Sequence, residues 1–229
     1  MEKIENILRQ EIFIDEESHK YYLKGVEINR PSVSTIMQYL PQYVFDDSFA
    51  ETQEGKEILV NAITRGLHLH KIAEVWLKDR QERTCCNLYG HLEMKRWLLK
   101  ILQKITNDYN EEDGWEIISE LSMVGERYVG TLDILLINNK RKQYLIGDIK
   151  TTRHPDLQKE TLQLTLYKHL LEERFKQINI NDMKLNNYFV INCNKINKEV
   201  YFMSENIQKI AEKHTLEIFE ILNLRNKNL

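Results

Sequence analysis

Asp133, Asp148 and Lys150 are the residues of this chain whose types and spacing best suit chemistry. Asp133 closes the run Val129, Gly130, Thr131, Leu132, Asp133, and Asp148 and Lys150 close the apolar run that starts at Tyr144. The polar stretch from Asn138 to Gln143 between them reads as a turn, so the two runs form a β-hairpin. Folding the chain between Lys140 and Arg141 sets Asp133 opposite Asp148 and Thr131 opposite Lys150. Opposed residues on paired strands have Cβ atoms roughly 4.5–5.5 Å apart. Side chains two apart share a strand face, so strand parity predicts that all four groups point the same way. Two facing carboxylates repel unless one takes a proton. A bound Mg²⁺ or Mn²⁺, each a hard cation suited to oxygen ligands, removes that conflict. The lysine adds a positive charge, or a base once its proton is lost. Acid pair, cation and lysine together suit hydrolysis of a phosphodiester.

The Asp/Glu-x-Lys spacing carries no weight alone, because Glu54–Lys56, Glu93–Lys95 and Asp182–Lys184 share it. Glu54 and Glu93 lie in helical patterns, where residues two apart do not face each other. Asp182 lies in a polar loop. Only Asp148–Lys150 ends an apolar strand with a second acid on the strand before it.

Further elements must bring partners to this hairpin. After Lys150 come Thr151, Thr152, Arg153, His154 and Pro155, then a helical pattern through about Lys176. Pro155 suits a first helical turn. Gln163 and Tyr167, four apart, share one face of that helix. Upstream, residues 51–79 read as a long helix with Gly66, His70 and Glu74 on one face. A glycine at 66 permits close backbone approach, and His70 is then placed to reach a cation held by the hairpin. Thr131 faces the same site by strand parity, and Thr151 follows it; either hydroxyl suits a phosphate oxygen.

Taken in order, Gly66-x-x-x-His70, Gly130-x-x-Asp133, Asp148-Ile149-Lys150 and Gln163-x-x-x-Tyr167 resemble the PD-(D/E)xK nuclease superfamily, in its RecB-like branch of phage and bacterial recombination exonucleases. The resemblance covers roughly residues 60–170, and Asp148 stands where many members carry Glu. It implies metal ligation by His70, Asp133, Asp148 and the backbone carbonyl of Ile149, with Glu120 as a further acid on the first core strand. It implies that Lys150 positions or activates water, or stabilises charge on the phosphate. Gln163 and Tyr167 would orient Lys150 or contact the DNA backbone. The implied protein is a Mg²⁺- or Mn²⁺-dependent deoxyribonuclease, an exonuclease acting on linear, end-bearing DNA in recombination or repair. An endonuclease of the same superfamily and a silent nuclease-like binding module are the alternatives. A recombination or annealing protein and a homo-oligomer are the partners implied.

The element order agrees with an α/β, restriction-endonuclease-like core, a mixed β-sheet flanked by helices. Residues 11–29 read as an N-terminal hairpin, and Pro31–Ser32 opens a short helix. Residues 87–109 form an amphipathic helix, and strands follow near 116–124, 128–137, 143–150, 185–192 and 198–203. A last helix covers about 206–223, its apolar excess serving the core or an oligomer contact. The chain of 229 residues suits one domain: hairpin and short helix over 1–50, nuclease core over 51–205, terminal helix over 206–229.

At 42% hydrophobic and 29% charged, the composition is that of an ordinary soluble domain. No apolar run approaches the ~18 residues of a membrane span, and the N-terminus lacks a signal-peptide pattern. A cytoplasmic protein is expected, in the host cytoplasm if phage-encoded. The cysteines are Cys85, Cys86 and Cys193. Three thiolates are too few for an all-cysteine Fe–S cluster within one chain, so none is expected. Net charge is −3 and gives no general attraction to nucleic acid. Local basic clusters at Lys140–Lys142, at Lys95, Arg96, Lys100 and Lys104, and at Arg225 with Lys227 read first as solvated faces and a charged turn.

Overall fold

The computed structural model describes residues 3–15, 20–44, 46, 48–80 and 92–226. Cys85, Cys86 and Lys227, the start of the predicted 87–109 helix and most of the predicted turn at 15–20 lie outside the described residues. In chain order the elements are α1 (Ile4–Leu8), β1 (Ile12–Asp15), β2 (Lys20–Leu23), β3 (Val26–Glu27) and α2 (Val33–Met37). There follow α3 (Gln53–Asp79), α4 (Leu92–Asp108), β4 (Glu116–Val124), β5 (Val129–Asn138) and β6 (Gln143–Lys150). The chain then forms α5 (Leu157–Gln177), β7 (Lys184–Cys193), β8 (Lys198–Phe202) and α6 (Glu205–Asn226).

A five-stranded sheet ordered β4-β5-β6-β7-β8 forms the centre. All its pairings are antiparallel except β6 with β7, which run parallel because α5 carries the chain back between them. Such a mixed sheet, covered by helices and preceded by a small antiparallel sheet of β1, β2 and β3, is a restriction-endonuclease-like arrangement. The expected N-terminal hairpin thus gains a third strand, β3, after the left-handed turn at Lys24 and Gly25.

β5 and β6 are buried along nearly their whole length, as central strands covered on both faces must be. On one face α3 and α4 bury Leu69, Ile72, Trp76, Leu98 and Leu102 against Ile134, Leu136, Ile149 and Ile191. On the other, α2, α5 and α6 bury Ile36, Leu166, Leu170 and Ile218 against Leu135, Ile137, Ile146 and Val190. In α6, Ala211, Ile218 and Leu222 serve this core, while Leu216 and Leu224 stay exposed. Among the described residues no helix is long and apolar enough to cross a membrane.

Local chemistry sets the element ends that matter. Thr52 caps α3 by accepting from the Gly55 N–H at 3.0 Å. Asp156 caps α5, taking the N–H groups of Gln158 and Lys159. Pro155 therefore sits one residue before the cap rather than in the first turn, because the Asp156 carboxylate claims the free amides. At the β5–β6 turn, buried Asn138 accepts from the Arg141 N–H and donates to the Asp113 carbonyl, both at 2.9 Å.

Candidate active site

The β5–β6 register runs from Asn138↔Gln143 to Ile134↔Gly147, so the next step sets Asp133 beside Asp148. On the other side of β5, Ser119↔Ile134 and Leu121↔Leu132 bracket Glu120 opposite Asp133. Three acids thus form a row across three strands. Glu120 has a left-handed backbone, φ 48°, which an L-residue adopts only at a cost. The alternation of buried side chains slips by one at this row. Ile118 and then Leu121 and Met123 of β4, and Ile137, Leu135 and then Leu132 of β5, all enter the α5-side core. Arg9 closes the irregular edge, its guanidinium donating to the carbonyls of Ser119 at 3.0 Å and Glu120 at 3.2 Å.

α3 brings His70 to this row. Its Nδ1 lies 3.4 Å from Asp133 Oδ2 and 3.8 Å from Glu120 Oε1. Its Nε2 lies 2.9 Å from the Ile149 carbonyl oxygen. With Nε2–H donating to that carbonyl, Nδ1 is the atom left to ligate, the arrangement usual for metal-bound imidazole. The Ile149 N–H donates to Asp133 Oδ2 at 2.8 Å, so the backbone of one β6 residue fixes both ligands. Ligand atoms of His70, Glu120 and Asp133 all lie within 4.8 Å of one another. Octahedral ligands at about 2.0–2.1 Å from an ion lie about 3 Å apart when adjacent and about 4 Å when opposite. Two carboxylates and an imidazole at this spacing fit a divalent cation. Burial opposes charging of His70, but Asp133 and Glu120 outweigh it and hold its pKa well above the ordinary imidazole value. Burial pushes Glu120 up, against the pull of His70. For Asp133 the opposite holds: His70, Lys150 and the Ile149 N–H overcome burial and lower it.

Asp148 and Lys150 form the second half of the site. Lys150 Nζ lies 2.7 Å from Asp148 Oδ2 and 3.1 Å from Glu160 Oε2, and donates to Gln163 Oε1 at 3.0 Å. Gln163 Nε2 in turn reaches Asp148 Oδ1 at 3.4 Å and the Tyr167 hydroxyl at 3.3 Å. Burial lowers the proton affinity of Lys150, but Asp148, Glu160 and Asp133 more than restore it, so the amine is firmly an ammonium. Asp148 is pushed up to about 7 by burial, with Asp133 and Glu160 adding to the effect against Lys150. Burial likewise raises the Tyr167 phenol.

Most of the expected set therefore converges: His70, Glu120 and Asp133 toward α3, and Asp148, Lys150, Gln163 and Tyr167 toward α5. Asp148 faces Lys150 rather than joining the three-residue group. The Ile149 carbonyl is engaged by His70, though its second lone pair stays open to a further partner. Thr131 stays in phase with Asp133, because the Leu132 between them enters the α5-side core; the slip in β5 turns both away from Lys150, which faces α5. The Thr131 hydroxyl pairs with Ser122 Oγ at 2.9 Å. Thr151 is anchored through its carbonyl, which accepts from Asn194 at 2.8 Å and Arg65 at 3.4 Å. Gly66 leaves ordinary room for a Cβ, with Thr151 Oγ1 3.9 Å away, so no contact among the described residues requires glycine there. Glu160 and Arg9 were not legible as site residues. Glu160 could have been found from its place three residues before Gln163 on one helix face; Arg9 has no sequence signal.

Residues 46–224 match the family described as the PD-(D/E)XK nuclease superfamily, and the chain belongs to it. No curated protein matches the chain. The metal-binding nucleases of this superfamily are the class that the fold and the acidic site define.

Proposed function

We propose that the chain is a divalent-cation-dependent deoxyribonuclease of the RecB-like branch, acting as an exonuclease on DNA ends, with residues 1–229 as one nuclease unit. One observation carries the reading. The Lys150 ammonium stands 2.7 Å from Asp148, on the strand beside the Asp133 that groups with His70 and Glu120. The branch assignment is supported by His70 on α3 and by Gln163 and Tyr167 on α5, whose side chains reach the acids and the lysine.

His70, Glu120, Asp133 and Asp148 would hold the ion. Mg²⁺ suits the carboxylates, and Mn²⁺ tolerates the imidazole as well. Such an ion supplies a water of lowered pKa and positive charge against the phosphate oxygens. Lys150, held as an ammonium, stabilises the negative charge that grows on the phosphate during attack. Gln163 fixes the direction of that ammonium, and Tyr167 fixes Gln163. Water adds across the P–O3′ bond, the 3′ oxygen leaves with a proton, and the products are a 5′-phosphate and a 3′-hydroxyl.

The test uses end-labelled linear DNA and closed circular DNA with Mg²⁺, Mn²⁺ or EDTA. Linear DNA should be degraded with either cation, the circle should persist, and EDTA should stop the reaction. A cut circle would make the enzyme an endonuclease. Lys150→Ala should abolish cleavage, with Lys150→Arg, which keeps a cation beside Asp148 and Glu160, serving as the folding control. Near-normal cleavage by Lys150→Ala would overturn the site assignment.

A further inference from the structure

We infer that Glu160 is a positioning residue, holding the Lys150 ammonium on the α5 side so that Asp148 is free to turn toward a cation. The inference rests on the nuclease reading above. An ammonium has three N–H groups, and Lys150 has three acceptors around it: Asp148, Gln163 and Glu160. Glu160 is only 7% exposed. A carboxylate taken so far out of water is retained only with a compensating charge, and Lys150 is the cation that reaches it at 3.1 Å.

Its place in α5 is not explained by capping. Asp156 already takes the amides of Gln158 and Lys159, and the Glu160 N–H donates to the Asp156 carbonyl. It lies instead on the helix face of Gln163 and Tyr167, three and seven residues on, and points with them into the site. Burial raises its carboxyl, and the Lys150 ammonium pulls against that rise.

When Asp148 gives its oxygen to a cation, Lys150 keeps Glu160 and Gln163. Without Glu160 it keeps only the Gln163 amide oxygen, a neutral acceptor. The ammonium then stays on Asp148 and competes with the cation. Loss of Glu160 should therefore weaken cation binding and turnover while leaving DNA affinity in place.

The experiment measures Mn²⁺ binding by calorimetry without DNA, and kcat and KM on linear DNA at saturating Mn²⁺. Glu160→Leu should weaken Mn²⁺ binding and lower kcat by about ten- to a hundredfold, the range found for outer-shell partners of metal ligands. KM for DNA should change less than about twofold. Glu160→Gln, whose amide oxygen still accepts from the ammonium, should recover about half or more of the logarithmic loss. Values for Glu160→Leu within about threefold of wild type, or a Gln variant no better than Leu, would overturn the inference. Should the Leu variant not fold, Glu160→Asp keeps the charge but draws back by one methylene; wild-type values there would overturn it equally. A wild-type protein that binds Mn²⁺ yet leaves DNA intact would defeat the nuclease reading alone, and the Mn²⁺ comparison would still decide Glu160.

Discussion

Gly130 shows how tightly single residues are set around the acids. A Cβ there would lie 2.7 Å from Tyr167 Cε1 and 2.8 Å from Val33 Cγ2. Neither neighbour can yield freely, since Val33 is 1% and Tyr167 7% exposed. Gly130→Ala should cost about 1–3 kcal/mol, the usual penalty for overpacking. It should also slow cleavage, because Tyr167 carries the hydroxyl that steadies Gln163. Denaturant midpoints and turnover read the two effects, and an unchanged midpoint would contradict the packing argument. Glu120 illustrates the converse: its left-handed backbone costs energy, and Arg9, from outside the matched residues 46–224, covers the strand edge at that point.

Among the elements, α5 brings Glu160, Gln163 and Tyr167 to the candidate site, and α6 fixes it from behind. Glu212 of α6 binds Lys168 Nζ at 2.6 Å and His169 Nε2 at 3.2 Å, both on α5. These partners, His169 foremost, pull the Glu212 carboxyl from 4.5 down to about 2. The folded-state pKa is depressed, so the stability it confers is present above about 4.5 and is lost as pH falls toward 2. Glu212 is more than a third exposed, and solvent screening limits the contribution to about 1 kcal/mol. Glu212→Gln should therefore lower the thermal midpoint by a few degrees at pH 7 and leave it unchanged near pH 2. An equal loss at both pH values would refute the charge assignment.

At the scale of the whole molecule, one sheet separates two apolar cores, and the site lies where α3 on one face and α5 on the other meet its acidic row. Trp76 and Trp115 lie in the α3–α4 core, and Trp97 packs against it, so tryptophan fluorescence reports that side alone. Helical circular dichroism reports both sides. Leu98 is fully buried in this core, and Leu98→Ala should cost about 2–5 kcal/mol. Because both cores share β5 and β6, the two signals should melt together in wild type and variant alike. Separate midpoints would mean that the faces unfold independently.

The strands, the long helices and the pairing of Asp133 with Asp148 were legible in the sequence because they depend on local properties: apolar period, turn chemistry and the symmetry of a hairpin about its midpoint. So were His70, Gln163 and Tyr167, each placed by helical spacing. What the sequence could not carry depends on contacts between distant segments. The slip that turns Asp133 and Thr131 together away from the Lys150 side arises where β4 and β5 distort together at Glu120 and Asp133. The division of the acids between a His70 group and a Lys150 group follows from helices approaching from opposite faces. Glu160 is drawn into the site by the charge of a lysine ten residues before it, and Arg9 by carbonyls more than a hundred residues away. Local pattern determined which residues were available; long-range packing and the need to compensate buried charge decided how they are partnered.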